Sequence, residues 1–127
     1  MKIIIAGTRT FKDYQFLKTQ CDVIIADYRS AIPYSARSSI KIISGGARGA
    51  DSLGKKYAHE KGFECCVFPA DWDKYGKRAG YLRNAQMVEV ADALIAFWDG
   101  TSRGTWLTIE LARKGGLKTT IVCYNDA

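Results

Sequence analysis

Short apolar runs alternate along the chain with segments in which apolar residues recur every three or four positions. The runs predict buried strands over Lys2–Ala6, Ile40–Ile43, Phe63–Phe68, Ala93–Trp98 and Leu117–Tyr124. The helical spacing predicts four helices, one after Asp13, one over Asp51–Lys61, one over Tyr81–Ala91 and one from Thr105 to about Lys114. This strict alternation predicts an α/β fold: a Rossmann-like, doubly wound, mainly parallel five-stranded sheet with helices on both faces.

Local signals place the ends of these elements and the connections between them. Asp13 is positioned to cap the first helix, and Gly62 follows the second helix as a stop signal. Ser30–Ser39, with a proline and four serines, is expected to be a connecting loop. Asp71–Gly80, rich in Lys and Arg, is expected to be a long polar loop.

The composition limits the class of protein. The 127 residues, 47% hydrophobic and 25% charged, fit a soluble globular chain, and we expect one domain over residues 1–127. The longest apolar runs fall far short of the ~20 residues that span a bilayer, and no secretion signal follows Met1. We therefore expect no membrane partner and a cytoplasmic location, in a bacterial cell or, for a phage protein, in the host cytoplasm.

Charge and cysteine content narrow the partners further. The net charge of +6 favours anionic partners such as nucleotides, phosphates or nucleic acid. The four cysteines form no metal-ligand spacing, and with His59 as the single histidine we expect neither a metal nor a cofactor. Cys65 and Cys66 lie side by side in an apolar run, and we expect buried, reduced thiols.

Three of the strand-to-helix connections contain glycine together with arginine: Gly7–Thr10, Gly45–Gly49 and Gly100–Thr105. Glycine lets a backbone approach a phosphate, helix N-termini offer N–H donors, and arginine binds phosphate oxygens in pairs. In a parallel sheet these loops meet at the carboxyl edge, so they predict a site for a phosphate-bearing ligand there. None matches G-x-G-x-x-G or a P-loop, which argues against an ordinary dinucleotide dehydrogenase or a P-loop NTPase.

The candidate ligand-binding residues lie at these strand ends. For phosphate they are Gly7, Thr8, Arg9, Ser44, Gly45, Gly46, Arg48, Gly100, Ser102, Gly104 and Thr105. Asp51 and Asp99 are candidates for ribose hydroxyls, although Asp51 is equally placed to cap a helix. Trp72, between two aspartates of the polar loop, is the preferred residue for stacking on a base, whereas Trp98 ends a strand and is expected in the core.

Several of these segments together resemble a known family. Gly7-Thr8-Arg9, Ile43–Asp51, Arg83-Asn84, Ala91–Gly100 and Ser102–Thr105 are similar, in order and spacing, to the YspA-like (cpYpsA-related) family of the SLOG superfamily, which is related to the DprA (Smf) and LOG proteins. The resemblance covers essentially the whole chain. It implies a Rossmann-like domain that binds nucleotides or nucleotide-derived molecules at its strand ends, and it adds Arg83 and Asn84 to the candidate site.

LOG relatives are phosphoribohydrolases, and their catalytic pattern is only partly present. Gly104 and Thr105 match the end of the LOG glycine-threonine loop, Gly100 is the candidate for its start, and Arg83 corresponds to the LOG arginine. The positions of the LOG glutamate hold Leu107 and Thr108, and Glu110 is expected to point elsewhere. Arg83 is therefore the candidate catalytic residue only if the chain is an enzyme.

These observations lead to one preferred function and two alternatives. We expect a sensor or sequestering domain that binds a phosphate- and ribose-containing small molecule, NAD-derived compounds included. The first alternative is a LOG-type phosphoribohydrolase or nucleotide hydrolase; the absence of the LOG glutamate argues against it. The second is DprA-like binding of single-stranded DNA, which the net charge allows although no basic tail supports it. By analogy with the superfamily we expect a homo-oligomer.

Overall fold

A computed structural model describes residues 1–31 and 40–125, so most of the loop expected over Ser30–Ser39 lies outside the described residues. The elements in chain order are β1 (Lys2–Gly7), α1 (Tyr14–Ser30), β2 (Lys41–Ser44), α2 (Ala50–Lys61), β3 (Glu64–Val67), α3 (Trp72–Tyr75), a 3₁₀ turn (Gly76–Arg78), α4 (Ala79–Val90), β4 (Ala93–Trp98), α5 (Arg103–Lys114) and β5 (Lys118–Cys123). Within this part of the chain, every helix is too short or too polar to cross a bilayer.

The five strands form one parallel sheet in the order β3-β2-β1-β4-β5. Ile4 at the centre pairs with Ile43 of β2 on one side and with Leu94 of β4 on the other. The chain therefore leaves β3 at one edge and returns to β4 beside β1, which makes the β1–β4 boundary the switch point of the topology. This architecture confirms the predicted α/β, Rossmann-like fold.

The core has two layers, one on each face of the sheet. Ile3 and Ile5 of β1 pack with α1 and α2, whereas Ile4, on the opposite face, packs with Met87 of α4 and Ile109 of α5. All five side chains are fully buried. A central parallel strand with helices on both faces has no solvent side, which explains why β1 is apolar without alternation.

The predicted helix signals at Asp13 and Gly62 are confirmed. The Asp13 carboxylate accepts a hydrogen bond of 3.0 Å from the backbone N–H of Phe16, which satisfies one of the free donors at the start of α1. Gly62 takes the left-handed conformation at φ +72° immediately after α2. These two ends needed no tertiary information, because each depends on residues within one helical turn.

The predicted loop over Asp71–Gly80 is wrong. Asp71 caps the short helix α3 by accepting from the N–H of Lys74, a 3₁₀ turn follows, and α4 already begins at the buried Ala79. Residues 71–78 are all exposed, so no apolar periodicity marks the helical turns within them.

The expectation of buried thiols is also wrong for most of the cysteines. Cys21 is buried, Cys65 is half-buried, and Cys66 and Cys123 are exposed; none of the four forms a disulfide. Cys65 packs against the α1–α2 core layer, whereas Cys66 points to the other face of the edge strand β3. The apolar run over Phe63–Phe68 therefore did not show that β3 is buried on both faces. The order of the strands puts β3 at the edge of the sheet, and this position cannot be read from the run itself.

Candidate functional site

Two adjoining clefts open at the carboxyl edge of the sheet. The first encloses about 450 Å³ between the end of β1, α4 and the start of α5, and the second encloses about 570 Å³ between the β2–α2 connection and the segment after β3. Their shared lining consists of Arg9, Ala47, Trp72 and Arg83. Two arginines and one tryptophan thus lie where the clefts meet.

Most of the predicted ligand-binding residues line these clefts. The first cleft is lined by Gly7, Thr8, Arg9, Asp51, Trp72, Arg83, Asn84, Ser102, Gly104 and Thr105, and the second by Arg9, Gly45, Gly46, Arg48, Trp72 and Arg83. Ser44, Asp99 and Gly100 lie outside both. The parallel sheet therefore brings residues from three separate connections to one place, as the position of the loops predicted.

Arg83 is held rigidly inside this site. Only 7% of the residue is exposed; its Nε donates to Asn84 Oδ1 at 2.8 Å, and its Nη1 donates to the carbonyl of Gly45. Asn84 Nδ2 in turn donates to Thr108 Oγ1 of α5 at 2.9 Å. The guanidinium is thus fixed by a chain of hydrogen bonds that joins the β2–α2 connection to α4 and α5.

Asp51 is a buried carboxyl in the first cleft, with 6% of the residue exposed. It does not cap α2, because Gly49 is the N-cap residue and Asp51 lies within the first turn. Burial raises the pKa of Asp51 to about 6, while Arg83, the backbone N–H groups of Ala47 and Gly7, and Arg9 act in the opposite direction. This site therefore holds an acid that titrates close to neutral pH.

Gly45 allows the Asp51 and Arg83 side chains to approach the same stretch of backbone. A Cβ atom at Gly45 would lie 2.6 Å from Asp51 Oδ2 and 2.7 Å from Arg83 Nη1. Both distances are shorter than a real Cβ tolerates. A side chain at this position would therefore force the Asp51 and Arg83 side chains, which arrive from α2 and α4, to shift.

Asp99 and Ser44 brace the loops from outside the clefts. Asp99 Oδ1 accepts from the backbone N–H groups of Thr101 at 2.9 Å and of Ser102 at 2.8 Å, and these bonds lower the pKa of Asp99. The fully buried Ser44 donates from Oγ to the Asp51 carbonyl and accepts from the N–H of Gly46. The structure thus places the predicted ribose ligand Asp99 in its own loop rather than in a cleft.

The first turns of α5 bring no carboxylate into the site. Leu107 and Thr108, which occupy the positions of the LOG glutamate, both line the first cleft. Glu110 lies outside it, with Oε1 3.9 Å from Nη1 of Arg113. Arg103, the arginine of this connection, is exposed and also lies outside both clefts.

Two exposed aromatic side chains, Trp72 and Tyr81, line the first cleft, each 50% exposed. Tyr81 and Lys77, which also lines this cleft, were not among the predicted site residues; Tyr81 was predicted to begin a helix and Lys77 to lie in the loop over Asp71–Gly80. Trp98 contributes elsewhere: it stacks on Trp106 at 5.5 Å between ring centroids and donates from Nε1 to the Ser102 carbonyl.

Comparisons with known proteins identify the family of the chain. The sequence profile of the YspA, cpYpsA-related SLOG family matches residues 1–75. The chain is similar to the Gene 61 protein of Mycobacterium phage D29, with 35% identity over 122 residues that cover 91% of each chain. No solved structure matches the chain significantly.

Proposed function

The chain belongs to the YspA, cpYpsA-related SLOG family, and from this premise we propose that it binds a phosphate- and ribose-containing small molecule in the two clefts. Membership of the SLOG family suggests nucleotide-related binding. We propose more specifically that the chain is a sensor or sequestering domain for one nucleotide-like compound.

The observation that carries the proposal is the buried guanidinium of Arg83. Its Nε and Nη1 are committed to Asn84 and Gly45, and both clefts have Arg83 in their lining. Burial lowers the pKa of Arg83, which means that the folded protein holds this charge at an energetic cost. A buried cation next to a polar cleft is stabilised by an anionic ligand, and phosphate matches the planar donor pattern of arginine.

The rest of the lining suits a phosphate as well. Arg9 lies in both clefts beside Arg83, and Lys77 adds a third cation to the first cleft. Gly104, in the first turn of α5, has no atom within 4 Å of where a Cβ would stand, so a ligand can approach the backbone there. The N–H groups of a helix N-terminus favour an anion in such a position.

The aromatic lining supports recognition of a base. Trp72 lies in both clefts and Tyr81 in the first, and half of each residue is exposed. Stacking of a base on an exposed aromatic ring contributes about 1–3 kcal/mol and depends little on which base it is. We therefore propose that Trp72 is the main stacking residue and that base identity is selected elsewhere.

A hydrolase that uses the LOG glutamate is disfavoured by the first turns of α5. Leu107 and Thr108 cannot transfer a proton as a carboxylate does, and Glu110 does not line the cleft. Single-stranded DNA binding can be distinguished from small-molecule binding and from hydrolysis by the salt dependence of the affinity. A DNA strand that contacts the protein through several phosphates releases several counterions, so its affinity falls steeply with salt. A homo-oligomer remains a prediction.

A thermal-shift screen with chromatography of each mixture tests the proposal. The compounds are nucleoside mono- and diphosphates, NAD, ADP-ribose and cyclic ADP-ribose, each compared with a short single-stranded DNA. A ligand that binds only the folded state stabilises it by about 2.7 kcal/mol at a hundredfold excess over Kd. We expect a shift with one class of these small molecules, and we expect that ligand to be recovered intact.

Other outcomes point to the alternatives. Release of a free base or of nicotinamide would show that the chain is a hydrolase. A shift with DNA alone, lost steeply as salt rises, would favour the DNA-binding alternative. No shift with any compound would contradict the proposal.

A further inference from the structure

We infer that Asp51 makes the first cleft selective for ribose over 2′-deoxyribose, by accepting hydrogen bonds from the sugar hydroxyls of the bound ligand. The inference rests on the proposed nucleotide binding and goes beyond it, since it names one class of ligand, ribonucleotides, and the residue that distinguishes it.

The geometry singles out Asp51 among the acids of the described chain. It is the one carboxylate in the lining of either cleft, and only 6% of the residue is exposed. Asp71 and Asp99 use their carboxylates to cap backbone N–H groups of their own loops. No cationic side chain among residues 1–31 and 40–125 lies within ion-pair distance of Asp51.

The groups that face Asp51 favour its charged form and leave part of its hydrogen-bonding capacity free. Arg83 from α4 and Arg9 after β1 favour the carboxylate by their charge, and the backbone N–H groups of Ala47 and Gly7 favour it by hydrogen bonding. Burial opposes them and leaves the pKa of Asp51 at about 6, so the group is mostly ionised at pH 7.5. An ionised carboxylate only accepts hydrogen bonds, and it has room for about four.

These properties determine which part of a nucleotide suits this position. A phosphate is repelled by the carboxylate and is better placed at Arg9, Lys77 and the start of α5. A ribose offers two neighbouring hydroxyl donors without any charge. A 2′-deoxyribose removes one of them, so the buried carboxylate loses one hydrogen bond and keeps those from the N–H groups of Ala47 and Gly7. Sites built around a hydroxyl strongly reject the analogue that lacks it.

The test compares matched ligands on matched variants. Isothermal titration at pH 7.5 measures the Kd of each of the four ribonucleoside 5′-monophosphates and of its 2′-deoxy counterpart. The protein is the full chain as wild type, Asp51→Asn and Asp99→Asn. Asp51→Asn keeps the size and one acceptor but removes the charge, and Asp99→Asn is the control because Asp99 lies outside both clefts.

We expect wild type to bind the ribose form about tenfold or more tightly than the deoxy form of the same base. Asp51→Asn should bring this ratio to about threefold or less, whereas Asp99→Asn should leave it unchanged. Between pH 7.5 and pH 5 the wild-type ratio should fall as Asp51 takes up a proton. The phosphate of the two ligands titrates alike, so its ionisation cancels in the ratio.

Equal binding of the two sugars by wild type would overturn the inference while leaving the proposed function intact. A full ratio retained by a folded Asp51→Asn would overturn it too. Absence of binding by every monophosphate would overturn this inference, whereas the proposed function, which also covers NAD and ADP-ribose, would still be decided by the thermal-shift screen. If Asp51→Asn does not fold, the wild-type ratio and its pH dependence still decide the question.

Discussion

Two connections at the same edge of the sheet look alike in sequence and are built differently. The β2 connection (Gly45–Asp51) and the β4 connection (Asp99–Gly104) each contain glycines, one arginine and one aspartate. The β2 connection is bound to a distant element, because its first carbonyl accepts from Arg83, 38 residues away. The β4 connection is folded on itself, with Asp99 accepting from Thr101 and Ser102.

The two aspartates show the physical consequence. Asp51 is buried by neighbours from other elements, which raises its pKa, whereas local N–H donors lower the pKa of Asp99. The β2 connection therefore holds a carboxyl at an energetic cost at neutral pH, and the β4 connection gains stability from one. Buried groups held at such a cost in a cleft are typical of functional sites, so we assign the larger functional role to the β2 connection.

The strongest way to test this contrast is to add one methyl group to each connection. Gly45→Ala should destabilise the fold by about 1–3 kcal/mol, because its Cβ would collide with Asp51 Oδ2 and Arg83 Nη1, both of which are buried. Gly104→Ala, on an exposed helical turn with nothing near its Cβ, should instead raise stability by about 0.5–1 kcal/mol. Urea denaturation of the two variants and wild type measures both changes.

The same pair also separates stability from binding. Under the proposed function, Gly104→Ala should weaken ligand binding despite its stability, because the new methyl group narrows the approach to the start of α5. A Gly45→Ala variant as stable as wild type would show that the Asp51 and Arg83 side chains do not pack tightly against Gly45.

A second test uses the opposite pKa shifts of the two aspartates. Because the folded protein keeps a proton on Asp51 up to about pH 6, against 3.8 for the ordinary group, the Asp51 contribution to stability is present below about pH 4 and is lost as pH rises through 6. This difference corresponds to at most about 3 kcal/mol. Asp51→Asn should therefore be more stable than wild type at pH 8 and no more stable at pH 4.

Asp99→Asn should change stability with the opposite pH dependence. The pKa of Asp99 is lowered by the N–H groups of Ser102 and Thr101, so its stabilisation is present at neutral pH and is lost as pH falls through the folded pKa, below 3.8. Thermal denaturation of both variants from pH 3 to pH 8 gives the two slopes. Identical pH profiles for the two variants would contradict the contrast between the connections.

A third and smaller difference is expected between the effects of replacing two arginines on ligand affinity. Arg83→Met should weaken binding of the nucleotide that gives the largest thermal shift by about tenfold, which is about 1.4 kcal/mol, because a charge-assisted contact to phosphate is lost. Arg103→Met, in the β4 connection and outside both clefts, should change the Kd less than twofold. Isothermal titration at fixed salt measures both.

Arg83→Met also leaves the Gly45 carbonyl without its donor, so its stability must be measured alongside. Binding should therefore be compared at a temperature where circular dichroism shows each variant folded. Equal losses of affinity for Arg83→Met and Arg103→Met would indicate a general effect of net charge rather than a site at Arg83.

The fold could be predicted in outline because its signals are local and periodic. The apolar runs of β1 and β4, the cap at Asp13 and the stop at Gly62 each depend on residues within a few positions. Where the segment is fully exposed, as over residues 71–78, there is no periodicity to detect, and the helical turns were missed. The exposure of Cys66 was missed for a different reason, since it depends on which strand lies at the edge.

The candidate site could be predicted only as a set of residues at strand ends. A parallel sheet necessarily brings the three glycine-bearing connections to one edge, and composition was sufficient to predict an anionic ligand there. The loops themselves gave no indication that Asp99 lies outside the clefts or that Tyr81 and Lys77 lie within the first. Those placements depend on where α4 begins and on how each loop hydrogen-bonds.

The sequence by itself thus determined the alternation of strands and helices, the edge of the sheet at which the glycine-bearing connections meet and the residue types found there. Tertiary structure alone decided that Asp51 rather than Asp99 is buried in a cleft with a raised pKa. The physical reason is the distance over which each kind of interaction acts along the chain. Backbone patterns act over a few residues, whereas burial and electrostatic fields are set by groups that the fold brings together from distant parts of the chain.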